Sequence, residues 1–287
     1  MLCLELLCAA ILVLAVASWL AEDTVIRAYG FYQYSPRWSL FVDRVPLTIA
    51  LVWPVVIHSA WDLARGLVPG RAARAAAVGG ALVLADAALI EPVSVAAGLW
   101  SWNEPGIFRV PPIGIVGWAY FALAAMAVLG WAEHRERRAN PFTAFACQQR
   151  RLAESAAIAA LLLLLPPAAS HLLLVASWWA GFKWVSDTVP PWPVVAALWA
   201  LSLALSAAAL RSPAGRRLAR VDLMARVPAA VFFFVLLALH GRSQPALVAY
   251  ALAFAPPYLA LTAMAGGRSA TVSNRACGRR GSGPPAS

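Results

Sequence analysis

Long apolar runs constrain this chain more than any other feature. A run of about 17 to 25 apolar residues is long enough to cross the hydrocarbon core of a bilayer as an α-helix. The chain of 287 residues contains eight such runs: 2–21, 45–64, 74–90, 112–132, 155–177, 189–210, 226–241, which is at the short limit, and 245–265. Because an open strand edge in lipid leaves backbone groups without partners, we predict an all-α fold, a polytopic membrane helical bundle of about eight transmembrane helices.

The composition favours a membrane domain with no soluble domain beside it. Charged residues make up 13% of the chain and hydrophobic residues 62%, whereas soluble domains contain about 25% charged residues. We predict one integral membrane helical domain over 1–268 and a disordered cytoplasmic tail, rich in Arg, Gly, Ser and Pro, over 269–287. The four cysteines have no metal-binding spacing, so we expect free thiols and no metal site.

The net charge of +10 indicates membrane topology rather than nucleic-acid binding. Seventeen of the 23 Lys and Arg residues lie in one alternate set of predicted loops, and six lie in the opposite set. Cytoplasmic loops of membrane proteins carry an excess of Lys and Arg. With eight spans, this distribution places both termini in the cytoplasm and predicts that the long loops 22–44 and 91–111 face outward.

One sequence motif occurs in both of these outward loops. Each copy reads acid, Gly-apolar-aromatic-x-aromatic, Val-Pro, and then Trp after six further residues. The copies comprise Glu22, Gly30, Tyr32, Tyr34, Val45, Pro46 and Trp53, and Glu91, Gly98, Trp100, Trp102, Val110, Pro111 and Trp118. A degraded third echo lies at 181–190. The repeat favours duplicated helical hairpins around a central site, although membrane interfaces also enrich aromatic residues.

Three carboxylates are candidates for acid catalysis. Asp86 lies in the third predicted span, and a charged side chain at the centre of such a helix costs about 2.5 to 3.5 kcal/mol. Glu22 and Glu91 come at the outer ends of the first and third predicted spans, in matching positions of the two motifs. A positioned carboxyl group can protonate an alkene. The alternatives are a structural hydrogen bond for Asp86 and, for the glutamates, helix capping or ion pairs with nearby arginines.

The aromatic residues of the motifs are candidates for substrate binding: Tyr32, Tyr34, Trp53, Trp100, Trp102 and Trp118. If each aromatic pair is extended, both of its side chains project to the same side of the chain. The faces of aromatic rings stabilise a carbocation by cation–π attraction, and a carbocation is what protonation of an alkene produces. The alternative is that these rings form an interfacial belt.

Motifs for several other chemistries are absent from the sequence. The chain has no HExxH pair, no aspartate-rich diphosphate site, no Walker A motif and no Rossmann glycine pattern. Enzymes that use prenyl diphosphates commonly cluster aspartates to hold magnesium, so this absence argues against a prenyltransferase. We expect no cofactor, and the sequence carries no signal for a particular oligomeric state.

Residues 91–118 resemble a membrane family of carotenoid biosynthesis that includes carotenoid 1,2-hydratases of the bacterioruberin and myxol type. That family carries an acid, a Gly-x-Trp-x-Trp-like element and a helix start similar to Gly-Ile-Pro-x-x-Asn-Phe-x-Gly-Trp. The matching residues are Glu91, Gly98, Trp100, Trp102, Val110, Pro111, Gly117 and Trp118, and the upstream motif extends the resemblance over 1–135. The sequence departs from the family at Gly114 and Ile115, which occupy the Asn-Phe positions, and at Arg109, which replaces a small residue.

The resemblance implies a cofactor-independent hydratase of the lyase class in the bacterial inner membrane. Its partners would be membrane lipid and a lipophilic carotenoid or other isoprenoid substrate. Asp86 or Glu91 would protonate the terminal C=C of an acyclic carotenoid end, and Glu22 or Glu91 would orient the attacking water. One rival is a membrane transporter or lipid-binding scaffold, with helix interruptions expected at Pro54 or Pro166–Pro167. A carotenoid cyclase or isomerase is another.

Overall fold

The computed structural model describes residues 2–138, 148–185, 189–211, 218 and 223–265, and the predicted tail over 269–287 lies outside them. Its elements are α1 (Leu2–Tyr29), β1 (Tyr32–Tyr34), β2 (Phe41–Val42), β3 (Val45–Pro46), α2 (Leu47–Leu67), α3 (Ala72–Ala96), β4 (Trp100–Trp102), α4 (Pro112–Arg138), α5 (Gln148–Ala180), α6 (Pro191–Arg211), α7 (Arg226–Leu236), α8 (Pro245–Leu252) and α9 (Ala255–Ala265). The fold is therefore helical, with short strands between its first helices.

In the part of the chain that the structure describes, seven helical segments are long and apolar enough to cross a membrane, which confirms the predicted polytopic bundle. Helices α8 and α9 together form one of these segments, Pro245–Ala265. The predicted span at 226–241 is a shorter apolar helix, and its last turn from Leu237 is a π-helix. Arg226, the first residue of this predicted span, is buried in the first turn of α7.

The first five helices form one packed unit. Helices α1 and α2 pair, α3 and α4 pair, and α5 packs against both α1 and α4. Helices α3 and α4 approach closely because Gly79 has no side chain: a Cβ there would lie 2.2 Å from Met126 Sδ. Small residues allow such close helix contact in membranes. The centre of the unit is filled by buried side chains such as Leu14, Ile57 and Met126.

The later helices pack on another face of α3. Leu89 and Val93 of α3 are buried in a cluster with Val195 of α6 and with Leu237 and Leu247. Helix α3 therefore belongs to both groups of helices, and it connects the five-helix unit to α6–α9.

Helices α1 and α3 extend further than the sequence predicted. Helix α1 continues to Tyr29 and α3 to Ala96, so the prediction that Glu22 and Glu91 mark the ends of these helices is wrong. Within one turn after each acid an apolar side chain is buried against the bundle, Val25 in α1 and Val93 in α3, and this packing continues the helix. Both carboxylates therefore lie within the bundle.

A two-stranded antiparallel sheet lies across the ends of α1 and α3. Each helix is followed by a glycine in the left-handed region, Gly30 (φ 61°) and Gly98 (φ 69°), which turns the chain into a strand. Strands β1 and β4 pair so that Tyr32 lies opposite Trp102 and Tyr34 opposite Trp100. Because strand side chains alternate, both aromatic pairs face the bundle, as predicted, whereas Gln33 is exposed on the other side.

The third echo of the motif does not form a strand. Residues Phe182–Trp184 form a single 3-10 turn after α5, and Lys183 Nζ lies over the rings of Trp179 and Trp184, at 3.8 Å and 4.7 Å from their centroids. This segment is absent from the cavity described below.

Candidate functional site

The two motifs meet around one cavity. It holds about 700 Å³ of empty space, including its mouth, and it lies among the first five helices and the β1–β4 sheet. Its walls include both glutamates and all six predicted aromatic residues, Glu22, Glu91, Tyr32, Tyr34, Trp53, Trp100, Trp102 and Trp118. The rest of its lining is largely apolar, with Phe121 of α4 and Leu174 of α5 as examples.

Glu22 accepts hydrogen bonds from the three other polar residues of its own motif. The hydroxyl groups of Tyr32 and Tyr34 both donate to Glu22 Oε2, the latter at 3.0 Å. Trp53 Nε1 donates to Oε1 at 3.1 Å. Both carboxylate oxygens are therefore held, one by the strand β1 and one by the helix α2.

Glu91 has the same arrangement with residues of the second motif. Trp100 Nε1 and Trp102 Nε1 donate to Glu91 Oε2 at 2.8 Å and 2.9 Å. Trp118 Nε1 donates to Oε1 at 2.8 Å. Strand β4 thus holds one oxygen and helix α4 the other, which is the pattern seen at Glu22.

The two clusters are in direct contact through matching residues. The ring centroids of Tyr32 and Trp102 are 4.7 Å apart, and those of Trp53 and Trp118 are also 4.7 Å apart. Tyr34 and Trp100 are 5.9 Å apart in an edge-to-face arrangement. Each side chain therefore packs against its counterpart in the other motif.

Local sequence explains how each motif reaches its acid. After the left-handed glycine, the alternation of a strand directs the first and third aromatic positions to the same side. Val45 and Val110 are buried and anchor the return of the chain. The motif proline comes directly before the next helix, Pro46 before α2 and Pro111 before α4, and the motif tryptophan follows about two turns later.

The surroundings of the glutamates are aromatic rather than cationic. Arg27 pairs with Asp23 at 2.6 Å and with Asp43, and no Arg or Lys lines the cavity among the described residues. The alternative that nearby arginines neutralise these acids is therefore not what the structure shows. Burial raises the pKa of the Tyr32 and Tyr34 hydroxyls well above its usual value, so both remain neutral donors.

Asp86 lies apart from this cavity. Its carboxylate receives two contacts from Arg226 of α7, Nη1 to Oδ1 at 2.9 Å and Nη2 to Oδ2 at 2.8 Å, and Tyr258 of α9 donates to Oδ1 at 2.9 Å. Asp86 does not line the cavity. The structure thus brings together two of the three predicted acids, and it gives Asp86 the hydrogen-bonded contacts that the sequence left as its alternative.

Several cavity residues were not identified from the sequence. Ser18 precedes Glu22 by one turn of α1, and Ser170 lies in the leucine-rich α5 after Pro166–Pro167. Gly114 of α4 lies under Trp102, where a Cβ would come within 2.6 Å of the indole Cζ2. Ser18 and Ser170 have no distinguishing local pattern, and Gly114, although it stands at a motif position, was not predicted to line the cavity. Only the packing of α1, α4 and α5 places the three residues there.

Within the described residues, no group of three or more His, Cys, Asp or Glu side chains is arranged to hold a metal ion.

A family profile described as "carotenoid biosynthesis protein" matches residues 2–177 of the chain. This match covers α1 to most of α5 and so includes the α5 wall of the cavity. No curated protein and no solved structure matches the chain.

Proposed function

Because the chain belongs to the carotenoid biosynthesis protein family, we propose that its cavity receives the acyclic end of a carotenoid and adds water across the terminal double bond. A role in carotenoid biosynthesis follows from the family. The hydration step rests on one observation, which is that a buried carboxylate, Glu91, and a half-buried one, Glu22, are both held by aromatic donors in an otherwise apolar cavity.

The hydrogen bonds assign different parts to the two acids. All three neighbours of Glu91 are indole N–H groups, which donate and cannot accept. When Glu91 carries a proton, none of these neighbours can take it as a hydrogen-bond acceptor, so the O–H is free to point at a ligand. Two neighbours of Glu22 are hydroxyl groups, which can both donate and accept. We therefore assign Glu91 as the acid and Glu22 as the group that receives a proton from water.

The proposed reaction is balanced without a cofactor. The Glu91 carboxyl proton adds to the CH carbon of the terminal (CH₃)₂C=CH group, which leaves a tertiary cation and the Glu91 carboxylate. Water then attacks the cationic carbon, and its surplus proton passes to Glu22. Proton exchange with solvent returns both acids to their starting state, and the net change is the addition of one water molecule.

The aromatic walls suit the cation that this reaction requires. Trp53, Trp118 and Phe121 pack against one another, with Trp53 4.7 Å from Trp118 and 4.9 Å from Phe121. Ring faces attract a cation more strongly when water is excluded. The same tryptophans therefore have two roles. Their indole N–H groups donate hydrogen bonds to the carboxylates, and their ring faces stabilise the cation.

The apolar surroundings of the cavity suit a long polyene as substrate. Such a molecule partitions into lipid, and the surfaces of α1 and α5 expose apolar side chains such as Leu12, Leu164 and Leu172. We propose that the substrate enters from the bilayer and that the protein resides in a bacterial inner membrane with both termini in the cytoplasm.

We further propose that α1–α2 and α3–α4 arose as duplicated hairpins, on the basis of the matching contacts of the two motifs.

A cyclase or isomerase on the same substrate would form the same cation and lose a proton from it instead of adding water, and the cavity contains acids for either outcome.

The alternative function as a transporter has less support. Helices α2 and α5 continue through Pro54 and Pro166–Pro167, where interruptions were expected for a transporter. The span Pro245–Ala265 is interrupted at Ala253–Phe254, and neither residue lines the cavity.

Mass spectrometry of pigments tests the proposal. A host that makes lycopene would express the wild-type protein, Glu91→Gln, Glu22→Gln or the control Glu104→Gln, whose carboxylate follows β4 but does not line the cavity. We expect a product heavier by one water with the wild type and the control, and at least a 100-fold loss with Glu91→Gln, as is typical when a general acid is removed. Loss of lycopene without a mass change would instead establish isomerisation or cyclisation.

Unchanged pigments in a host whose membrane contains the wild-type protein would contradict the proposal for this substrate. Equal hydration by wild type, Glu91→Gln and Glu22→Gln would contradict the site.

A further inference from the structure

A hydration reaction needs a place for water, and the described cavity is mostly apolar. Besides the two acids and their donors, the polar side chains that line it are Ser18 of α1 and Ser170 of α5. Neither belongs to the repeated motif. Ser170 is 4% exposed, and its Oγ has no hydrogen-bond partner in the described part of the chain. Buried polar groups without a partner are uncommon in native proteins, and ordered water is a frequent partner when protein supplies none.

The position of Ser170 is fixed by its neighbour in the chain. His171 contacts two side chains of α1, with Nε2 2.7 Å from Thr24 Oγ1 and Nδ1 3.0 Å from the Tyr29 hydroxyl. These contacts hold this turn of α5 against the segment of α1 that contains Glu22. Ser170 lines the cavity from this turn of α5, and α5 packs here against the helix that carries Glu22.

Ser18 supplies a second polar group on the same side. It precedes Glu22 by four residues, so the two side chains share a face of α1. The Ser18 hydroxyl donates to the carbonyl oxygens of Ala15 and Ala50, at 2.9 Å and 3.1 Å, and its oxygen retains a lone pair that can accept. A bound water needs two to four polar partners. Ser170, Ser18 and Glu22 supply three.

We propose that Ser170, together with Ser18, binds the water molecule that is added to the substrate. This inference rests on the proposed hydration and extends it. In this arrangement the bound water contacts Glu22, the acid assigned above to receive its proton. Ser170 is thus a positioning residue: it holds the nucleophile, whereas Glu91 gives the proton to the alkene and Glu22 takes the proton from the water.

Removing Ser170 should separate the two halves of the reaction. In Ser170→Ala the alkene is still protonated, but the cation returns its proton instead of meeting a held water molecule. In ²H₂O, the recovered substrate should therefore gain deuterium while the hydrated product falls about tenfold, the factor expected for loss of one hydrogen bond in the transition state. A merely structural role would lower both signals together.

Ser202→Ala is the matched control. Ser202 is also buried, 3% exposed, with an unpartnered Oγ, but it lies in α6 and does not line the cavity. We expect this variant to hydrate lycopene as the wild type does, at equal protein content in the membrane.

A second pair of variants covers the case in which Ser170→Ala does not accumulate. Ser170→Thr and Ser170→Val have nearly the same shape and differ in the hydroxyl group. At equal protein content, Ser170→Thr should give about ten times more hydrated product than Ser170→Val.

The outcomes distinguish this inference from the proposed function. Equal hydration by wild type and Ser170→Ala, equal hydration by the Thr and Val variants, or a joint loss of hydration and deuterium uptake would overturn the role of Ser170 while leaving the hydratase proposal in place. Absence of hydrated product from the wild type would overturn both.

Discussion

At the scale of single residues, the donors to Oε2 distinguish the two acids, because they are tyrosine hydroxyl groups at Glu22 and indole N–H groups at Glu91. Glu91 Oε1 has one donor within its cluster, Trp118 Nε1, whereas Oε2 has two, from Trp100 and Trp102. A substitution that removes the N–H but keeps an aromatic ring therefore has a different effect at each position.

Replacing Trp118 with Phe should lower product formation about tenfold, because Oε1 then loses its donor and the acid loses its fixed orientation. Trp100→Phe should have a smaller effect, since Trp102 still donates to Oε2. Trp131→Phe is the control, because Trp131 is 40% exposed and lies outside the cavity lining. The measurement is hydrated pigment per amount of membrane protein. An equal loss in Trp118→Phe and Trp131→Phe would contradict the assignment.

The buried tyrosines provide a prediction about pH. Burial raises the pKa of Tyr32 and Tyr34 well above 10, so neither ionises in the range where an ordinary tyrosine does. The folded wild type and a Tyr32→Phe, Tyr34→Phe double variant should therefore have the same tyrosinate absorbance change as pH rises through about 10. A smaller change in the double variant, by two of the six tyrosines in the chain, would show that these hydroxyls are accessible.

The same raised pKa has a consequence for stability. An unfolded chain releases protons from these tyrosines near pH 10, whereas the folded protein retains them, so their contribution to folding is fully present below about pH 10 and is lost as pH rises further.

The sequence predicts which residues meet at the cavity but not how they are oriented. The motif spacing identifies Tyr32, Tyr34, Trp100 and Trp102, because alternate residues of any extended segment share a side. The N–H edges of Trp100 and Trp102 point to Glu91 because of where α3 places the acid. The spacing of residues along the chain does not reveal the position of Glu91 relative to the two indole rings.

At the scale of elements, the two left-handed glycines determine where α1 and α3 stop and where the sheet starts. A Cβ on Gly30 or Gly98 would meet nothing within 4 Å, so the need for glycine is conformational and not a matter of space. Other L-residues pay about 1–2 kcal/mol in this region, and Asn tolerates it better.

Gly98→Ala should therefore lower the midpoint temperature of thermal denaturation in detergent, and Gly98→Asn should recover part of the loss. Gly181→Ala is the control, because a Cβ there also meets nothing within 4 Å while the backbone has φ −177°, which any residue adopts. Equal midpoints for Gly98→Ala and Gly181→Ala would show that the left-handed turn contributes little.

Gly114→Ala tests the contact between α4 and β4. The new Cβ would lie 2.6 Å from Trp102 Cζ2, so the indole must move and its hydrogen bond to Glu91 is weakened. Gly117→Ala is milder, because its Cβ would approach the flexible end of Leu174 at 3.3 Å. We expect a several-fold lower yield of hydrated pigment from Gly114→Ala than from Gly117→Ala at equal protein content. The opposite order would contradict the packing argument.

Element boundaries illustrate what hydropathy misses. The predicted spans at 2–21 and 74–90 stop before the acids because a carboxylate interrupts an apolar run. The helices continue because each acid is satisfied by three donors that lie outside its own helix, such as Trp53 for Glu22 and Trp118 for Glu91. Once its carboxylate accepts hydrogen bonds in this way, a glutamate can lie in a buried part of a helix without a large free-energy cost.

At the scale of the whole molecule, helix α3 carries a different acid toward each group of helices. Glu91 serves the cavity of the five-helix unit, and Asp86 binds Arg226 and Tyr258 of the later helices. The family match ends at residue 177, so α6–α9 lie outside it. Asp86 is one polar connection between the matched part and the later helices, and the Tyr250 hydroxyl, which donates to the carbonyl oxygen of Ala88 at 3.0 Å, is another.

Breaking this connection should affect stability more than chemistry. Asp86→Asn leaves Arg226 buried without its counter-charge, and losing one partner of a buried pair costs about 3–5 kcal/mol. Asp86→Leu combined with Arg226→Met removes both charges and should restore much of the thermal midpoint. Hydrated pigment per amount of folded protein should be unchanged in the double variant. If the double variant has the thermal midpoint of the wild type but forms less product, Asp86 takes part in the reaction.

The two acids of α3 also show the limit of reasoning from a single pattern. Asp86 and Glu91 are five residues apart, and the sequence offers both as acids. Five residues correspond to about 500° of helical rotation, so the two side chains point in clearly different directions. Which of them faces a cavity is decided by the partner helices, and the partner of Asp86 is 140 positions further along the chain.

The sheet formed by β1 and β4 has a consequence for a substrate with two reactive ends. Its inner face lines the cavity and its outer face exposes Gln33, so a polyene in the proposed site would meet the sheet as a wall. A symmetrical carotenoid would have to withdraw, turn round in the bilayer and enter again before its second end could react. Hydration would then be distributive, and molecules modified at one end would mix with the membrane pool and build up before the doubly modified product.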